Sequence, residues 1–240
     1  MMEEKLLTIT EAAEILGVSV DTLRRWDKSG KLVAIRKEGG AHRYYRQSDL
    51  DVFLSDLVKL AYEWTINSAG FPSQFYCENS AVFQTKLIKM QDALIKDSAV
   101  GAILPLIVAV AGEIGNNSFD HNLGNWPDIP GIFFGYNINQ RRIVLADRGL
   151  GILATLRRVR PDLKNHAEAL RVAFTEIISG RAPEERGNGL KFVRRVVSEN
   201  PIGLFFRTGD AELRLKKENN ELFITRSAVV IRGCFAIIEF

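Results

Sequence analysis

Gly17 separates two short helical patterns, and that arrangement constrains the start of this chain more than any other feature. Upstream, Thr10 can cap a helix whose first turn carries Glu11. Its apolar positions Ala12, Ile15 and Leu16 follow i, i+3, i+4 spacing. Gly17 ends it, because glycine takes a left-handed turn without steric cost. Ser19 caps a second helix through about Ser29, with Gly30 after it. Leu23 and Trp26 point one way on this helix, and Asp21, Arg24, Arg25 and Lys28 point the other. A hairpin pattern follows: Lys31 to Arg36, a Lys37-Glu38-Gly39-Gly40 turn, then Ala41 to Arg46. A third helix starts near Ser48. Its apolar stripe of Leu50, Phe53, Leu54, Leu57, Ala61 and Trp64 runs on to about Asn67. Gly70-Phe71-Pro72-Ser73 breaks it and marks a domain boundary.

Charge gives the first module a face. The whole chain carries a net charge of only +3 over 240 residues, which says little about partners. From Arg24 to Arg46, however, Arg24, Arg25, Lys28, Lys31, Arg36, Lys37, Arg43 and Arg46 stand against Asp27 and Glu38. A basic patch on a small module is the footprint of a phosphate-binding face. Two helices around a tight glycine turn, the second basic on its outer side, fit insertion of that helix into the DNA major groove. Thr8-Ile-Thr-Glu-Ala-Ala-Glu-Ile-Leu-Gly-Val-Ser-Val-Asp-Thr-Leu-Arg-Arg-Trp26, then Gly30-Lys-Leu, then Gly39-Gly-Ala-His-Arg-Tyr44, resembles the MerR-type winged helix-turn-helix. It is particularly similar to the excisionase and transposon-resolvase variant. The resemblance covers about Leu7 to Phe53 and implies double-stranded DNA as a partner. Arg24 and Arg25, with Lys28 on the same outer face, would lie on the recognition helix. His42, Arg43 and Tyr44 would contact phosphate from the wing. MerR-type regulators usually pair through a long helix, and the Ser48–Asn67 helix is the one here that could make a homodimer.

The remainder reads as α/β. Helices are expected at Ala81–Lys96, Leu106–His121 and Leu190–Glu199, and strands at Gly131–Tyr136 and Arg142–Ala146. Further strand-like runs follow at Leu204–Thr208, Glu212–Lys216, Glu221–Ile224 and Gly233–Phe240. Three segments concentrate chemistry. Glu113 and Asn117 lie one helical turn apart, with Asp120 and His121 on the same face. A carboxylate and an amide oxygen so placed suit Mg²⁺, which prefers oxygen ligands, and a glutamate can accept a proton from water. Asp147-Arg-Gly149-Leu-Gly151 follows an apolar run and puts a carboxylate at a strand end, beside a close-approach turn. A buried carboxylate can accept from an exocyclic amine. Gly187-Asn-Gly189 opens a helix, where backbone N–H groups and the helix dipole favour phosphate.

In that order, within an α/β domain, the segments resemble the GHKL ATPase family. Its members include gyrase, the ninety-kilodalton heat-shock chaperone, mismatch-repair ATPases, histidine kinases and anti-sigma serine kinases. The resemblance covers about Ala81 to Phe240 and implies ATP and Mg²⁺ as cofactors. Asn117 would be the Mg²⁺ ligand, Glu113 the catalytic base and Asp147 the reader of the adenine amine. Gly149 and Gly151 would line the pocket, and Gly187 and Gly189 would bind phosphate under a lid over Ile152–Arg186. Arg181 or Arg186 could approach the γ-phosphate. Two positions depart from the kinase pattern. Lys191 stands where a glycine is frequent, and Gly233-Cys234 where Gly-Thr is. No histidine falls on the Ala81–Lys96 or Ser48–Asn67 helices, which argues against histidine autophosphorylation there.

The expected fold class is α+β. A winged helix-turn-helix over 1–56 leads through a helical linker, 57–73, to a two-layer α/β sandwich of the Bergerat type over 74–240. The longest apolar stretch, Ala99 to Gly112, contains Pro105 and is shorter than the roughly 18 residues of a membrane span, so no membrane partner is expected. No secretory pattern opens the chain, and Cys77 and Cys234 form no disulfide framework or zinc cluster, so a cytoplasmic location is expected. The functional expectation is an ATP-responsive, DNA-binding transcription regulator. The alternative is an enzyme, an ATPase or an anti-sigma-type protein serine/threonine kinase, acting on a protein encoded nearby.

Overall fold

A reciprocal cap starts the first helix. In the computed structural model Thr8 Oγ1 accepts from the Glu11 N–H at 3.3 Å, and the Thr8 N–H donates to the Glu11 carboxylate at 2.8 Å. The cap is therefore Thr8, two residues before the expected Thr10. The structure describes residues 5–16, 18–36, 40, 42–67, 70–96, 100–176 and 189–240. Strand β1 (Leu6–Thr8) runs directly into helix α1 (Ile9–Leu16), and α2 (Val20–Ser29) follows. Ser19 accepts from the Thr22 N–H as the N-cap of α2, and Gly30 closes the helix at φ 75°.

The expected hairpin takes another form among the described residues. The arm before the turn contributes a single bridge, Ile35 to Tyr44. The arm after it, β2 (Tyr44–Arg46), pairs antiparallel with β1. Alternation hid this partner, because three residues are too few to show a period. Leu16, Leu23, Tyr45 and Leu50 are fully buried in the small core of this module.

The single helix expected over Ser48–Asn67 is two. Helix α3 (Gln47–Ser55) stops at Asp56, and Asp56 Oδ1 accepts from the Lys59 N–H to open α4 (Leu57–Asn67). The break redirects the apolar stripe. Leu50 stays in the first module, while Leu57, Leu60, Ala61 and Trp64 pack on the sheet of the second.

That sheet has five antiparallel strands in the order β3-β4-β5-β7-β6. They are β3 (Tyr76–Cys77), β4 (Ile132–Asn137), β5 (Arg142–Asp147), β6 (Gly203–Leu215) and β7 (Phe223–Glu239). Alternate side chains divide between two cores. Ile132, Phe134, Ile143, Leu145, Ala236 and Ile238 face the larger core. It is shared with α5 (Ser80–Leu94), α6 (Leu104–Asn122), α8 (His166–Thr175) and α9 (Gly189–Glu199). Phe133, Val144, Ala146 and Phe235 face α4 on the other side. The unbroken run Ile143-Val144-Leu145-Ala146 follows from this, since a strand covered on both faces has no polar side. The architecture is thus mixed α and β, and α4, lying in the segment read as a linker, adds a third layer to the expected two.

The four strand-like runs near the C-terminus are arms of two bent strands. A straight 13-residue strand would separate its ends by about 40 Å. In β6, a Cβ on Gly203 would instead lie 3.8 Å from the Leu215 carbonyl oxygen. The Arg214 guanidinium also sits 4.5 Å from the Phe205 ring centre. β6 doubles back at Gly209–Asp210, where its pairing with β7 is irregular.

Candidate functional site

Two concave regions hold the residues that the sequence singled out. The first is an open groove of about 680 Å³ on the N-terminal module. Burial of Leu23 and Trp26 turns the other side of α2 outward, so Arg24, Arg25 and Lys28 are exposed. Arg24, Arg25, Lys28, Arg36 and Arg43 line the groove with Asp27. His42 is exposed, and Tyr44 lies on β2 half-buried. Arg36 and Asp27 could be counted in the charged stretch Arg24–Arg46 but not placed in the groove from the sequence. The only signal was a carboxylate amid cations, because its partners lie 9 and 16 positions along the chain. Arg36 Nη2 donates to Asp27 Oδ2 at 2.5 Å and Arg43 Nε donates to the same oxygen at 2.6 Å. Burial alone would raise the Asp27 pKa. The Ala34 N–H and the two arginines outweigh it and hold the pKa below the ordinary carboxylate value.

The second region is a cavity of about 630 Å³ among α6, the end of β5, α9, α8 and α7 (Gly151–Leu156). It brings together Glu113, Asn117, Asp147, Gly151 and Gly189, which are scattered over 77 positions of sequence. Asp120 and His121 also line it. Gly149 does not. Its N–H donates to Asp147 Oδ1 at 2.8 Å, and its Cα faces the Asn122 amide so closely that a Cβ would collide with it. Gly187, Arg181 and Arg186 lie outside the described residues. A Cβ on Gly189 would overlap the Glu113 carboxylate, so glycine lets the start of α9 meet α6 here. Among the described residues no hydrogen bond engages the Asn117 amide or the Glu113 carboxylate.

Asp147 is the floor of this cavity. It is 2% exposed and receives only neutral donors: Ser118 Oγ at 2.8 Å and the N–H groups of Gly149 and Cys234. Burial pushes its pKa up to about 6, against the pull of those three bonds. The close approach of β7 needs Gly233, at φ 69°, because a Cβ there would strike the Asp147 backbone and carboxylate. Thr208 locks the same corner, donating to the Gly233 carbonyl at 3.0 Å and accepting from the Ile152 N–H at 3.2 Å. Burial, and then the neighbouring Asp147 charge, raise the Cys234 thiol pKa well above its usual value. Ser118, Thr208 and Asn122 were missed from sequence, since nothing local shows which strand lies beside Asp147.

The stretch expected as a lid is in part a wall. Helices α7 and α8 pack through Leu153, Leu163, Ala169 and Val172, which are all buried. Residues 177–188 lie outside the described residues. Lys191 points its ammonium at the Glu176 carbonyl, 2.6 Å away, at the end of α8.

Arg148 ties the end of β5 to α4. It follows Asp147 but turns to the other face of the sheet, where it is 6% exposed. Its Nη1 donates to the carbonyls of Trp64 at 2.5 Å and Thr65 at 3.1 Å, at the end of α4. Its Nη2 donates to Asp128 at 2.6 Å. Farther along, Lys31, just past α2, pairs with Glu63 of α4 at 2.8 Å and stands over the Trp26 ring.

Comparison with known proteins addresses the first region. Residues 6–57 match the helix-turn-helix domain family. The chain is similar to the type II methyltransferase M.Eco47II of Escherichia coli, with 45% identity over 53 residues. That segment is 22% of this chain and 12% of the methyltransferase. It is also similar to the transcriptional repressor DcmR of Methylorubrum extorquens, with 47% identity over 53 residues, 22% of this chain and 20% of the repressor. The likeness therefore covers a fifth or less of either relative's length. The N-terminal segment is a helix-turn-helix domain. Among the described residues no helix is long and apolar enough to cross a membrane.

Proposed function

We propose that this chain is an ATP-responsive, DNA-binding transcription regulator, with DNA on a MerR-like winged module and Mg-ATP in a GHKL-type cavity. The observation that carries the reading is the Asp147–Arg148 pair. One side chain forms the floor of the cavity, and its neighbour grips the last carbonyls of α4, the helix leading out of the DNA-binding module.

The residues present fit the nucleotide. Asp147 accepts three bonds, all from neutral donors, of the roughly four that a carboxylate can accept, so it can still accept from an exocyclic amine. Asn117 would offer its amide oxygen to Mg²⁺, and Glu113 lies one turn before it on the same face of α6. When bound, the metal neutralises phosphate charge. Glu113, whose carboxylate lies against Gly189 at the start of α9, would hold a water or its proton.

DcmR, a transcriptional repressor, supports the regulatory reading of the first module. Two winged modules reaching two half-sites need paired chains. The α4 stripe is already buried against the sheet, so a homodimer would use another surface.

The test is the affinity of the full chain for a duplex it selects from a random pool, with and without Mg-ATP. Occupancy shifts DNA binding only if the two states of the chain bind DNA differently. The expected outcome is at least a fivefold change, in the usual range of coupling between sites, about 1 kcal/mol. Equal affinities, together with a Tm unmoved by Mg-ATP, overturn the reading. Transfer of labelled phosphate to a protein encoded nearby would instead establish the kinase.

A further inference from the structure

The groove on the N-terminal module holds five cations and one carboxylate, and that carboxylate is placed against its electrostatic interest. Asp27 adds negative charge where phosphate must approach. Yet its side chain is only 5% exposed, and both of its oxygens are committed. Oδ1 accepts from the Ala34 N–H at 3.0 Å. Oδ2 accepts from Arg36 and Arg43, which flank the wing turn on opposite sides. Each bond occupies one N–H of a planar five-donor fork and sets the direction of the rest. An arginine whose rotamer is already fixed loses less entropy on binding than one that is free in solvent.

We propose that Asp27 is a positioning residue for DNA binding, holding the Arg36 and Arg43 guanidinium groups as a fixed pair that grips the phosphate backbone beside the recognition helix. The inference rests on the reading that this module binds DNA. It deepens that reading by assigning a role to an acidic residue that repels the ligand.

The two contributions of Asp27 have opposite signs, so one substitution separates them. Asp27→Asn keeps an acceptor for the Ala34 N–H but removes the charge that holds both arginines. If Asp27 acted only as a charge, binding would tighten and its salt dependence would steepen. The positioning role gives the reverse, about tenfold weaker binding at equal salt, as expected for loss of charge-assisted orientation. Asp27→Glu keeps the carboxylate and recovers most of the affinity. Arg43→Lys preserves every charge but loses the guanidinium fork; about fivefold weakening is expected in the natural chain and little more in the Asp27→Asn background.

The measurement is fluorescence anisotropy of the full chain on the duplex it selects from a random pool, with Tm recorded for each variant. Failure of the natural chain to select any duplex overturns DNA binding itself. Selection by the natural chain, with equal or tighter binding by Asp27→Asn, overturns the positioning role alone. If Asp27→Asn does not fold, Arg43→Lys decides: affinity equal to that of the natural chain overturns the proposal, and weakened binding supports it.

Discussion

Asp27 and Asp147 are the same side chain withdrawn from water in two ways, and their acidities move in opposite directions. In both, burial favours the protonated form. Asp27 meets the Ala34 N–H and two guanidinium groups, which together reverse the effect and hold it ionised. Asp147 meets a hydroxyl and two backbone N–H groups, which reduce the effect without cancelling it, leaving its pKa at about 6. The deeper burial of Asp147 and the charge of the Asp27 partners together decide the outcome. The consequence for binding is direct. A carboxylate saturated by cations organises its surroundings, whereas one held by neutral donors keeps its accepting power for a ligand.

The largest test of this contrast uses a third carboxylate, Asp128, which is paired with the buried Arg148. Without Arg148, Asp128 keeps Arg232 at 2.9 Å, but the Trp64 and Thr65 carbonyls lose the guanidinium that they share. Arg148→Met should therefore cost about 3 kcal/mol, read as the urea midpoint at constant m-value. A loss under 1 kcal/mol would show that the α4 carbonyls and Asp128 are satisfied without it.

The pH dependence of stability comes next. Asp147 titrates at about 6 in the folded chain against an ordinary carboxylate value when unfolded, so the folded state holds the extra proton between them. Its contribution to stability is full below about pH 4, falls as pH rises to about 6, and is flat above, a loss of about 3 kcal/mol. Subtracting the Asp147→Asn profile from that of the natural chain isolates this step. Asp27 must show the reverse slope, with its contribution lost as pH falls through its lowered folded-state value. Parallel slopes for the two residues would break the comparison.

Asp147→Asn also reverses one end of the proposed bond to an amine. Mg-ATP affinity measured by calorimetry should fall about a hundredfold, which is about 2.7 kcal/mol. Unchanged affinity would remove Asp147 from nucleotide recognition while leaving its titration intact.

The smallest effect is local. Ser19→Ala removes the N-cap of α2, and a loss of about 1 kcal/mol is expected in thermal melts. It should leave the Asp147 titration untouched, because nothing in the cavity depends on that cap. A shift in both would show the two regions to be more tightly joined than the Arg148 and Lys31 contacts require.

How much was legible follows the range of each interaction. The caps of α2, the inward side of Leu23 and Trp26, the helix bearing Glu113 and Asn117, and the strand ending at Asp147 were all readable. Each depends on neighbours within one helical turn or one strand period. The Asp56 break was written in the same local code but was overridden by the apolar stripe running across it. Asp27 could be counted as a charge but not placed, and Thr208 and Cys234 gave no sign that they would close the corner beside Asp147.

By itself, then, the sequence determined a basic helix-turn-helix module and a set of oxygen-bearing residues on one helix face and at one strand end. Only the tertiary structure decided that the apolar stripe of α4 covers the sheet, that Asp27 joins residues on either side of the expected hairpin turn, and that Arg148 links the cavity floor to α4. The physical reason is that caps and periodicity act through bonds between near neighbours. The sign of a buried carboxylate's shift, and the side of a sheet that a helix covers, are set by groups that meet only when distant segments pack.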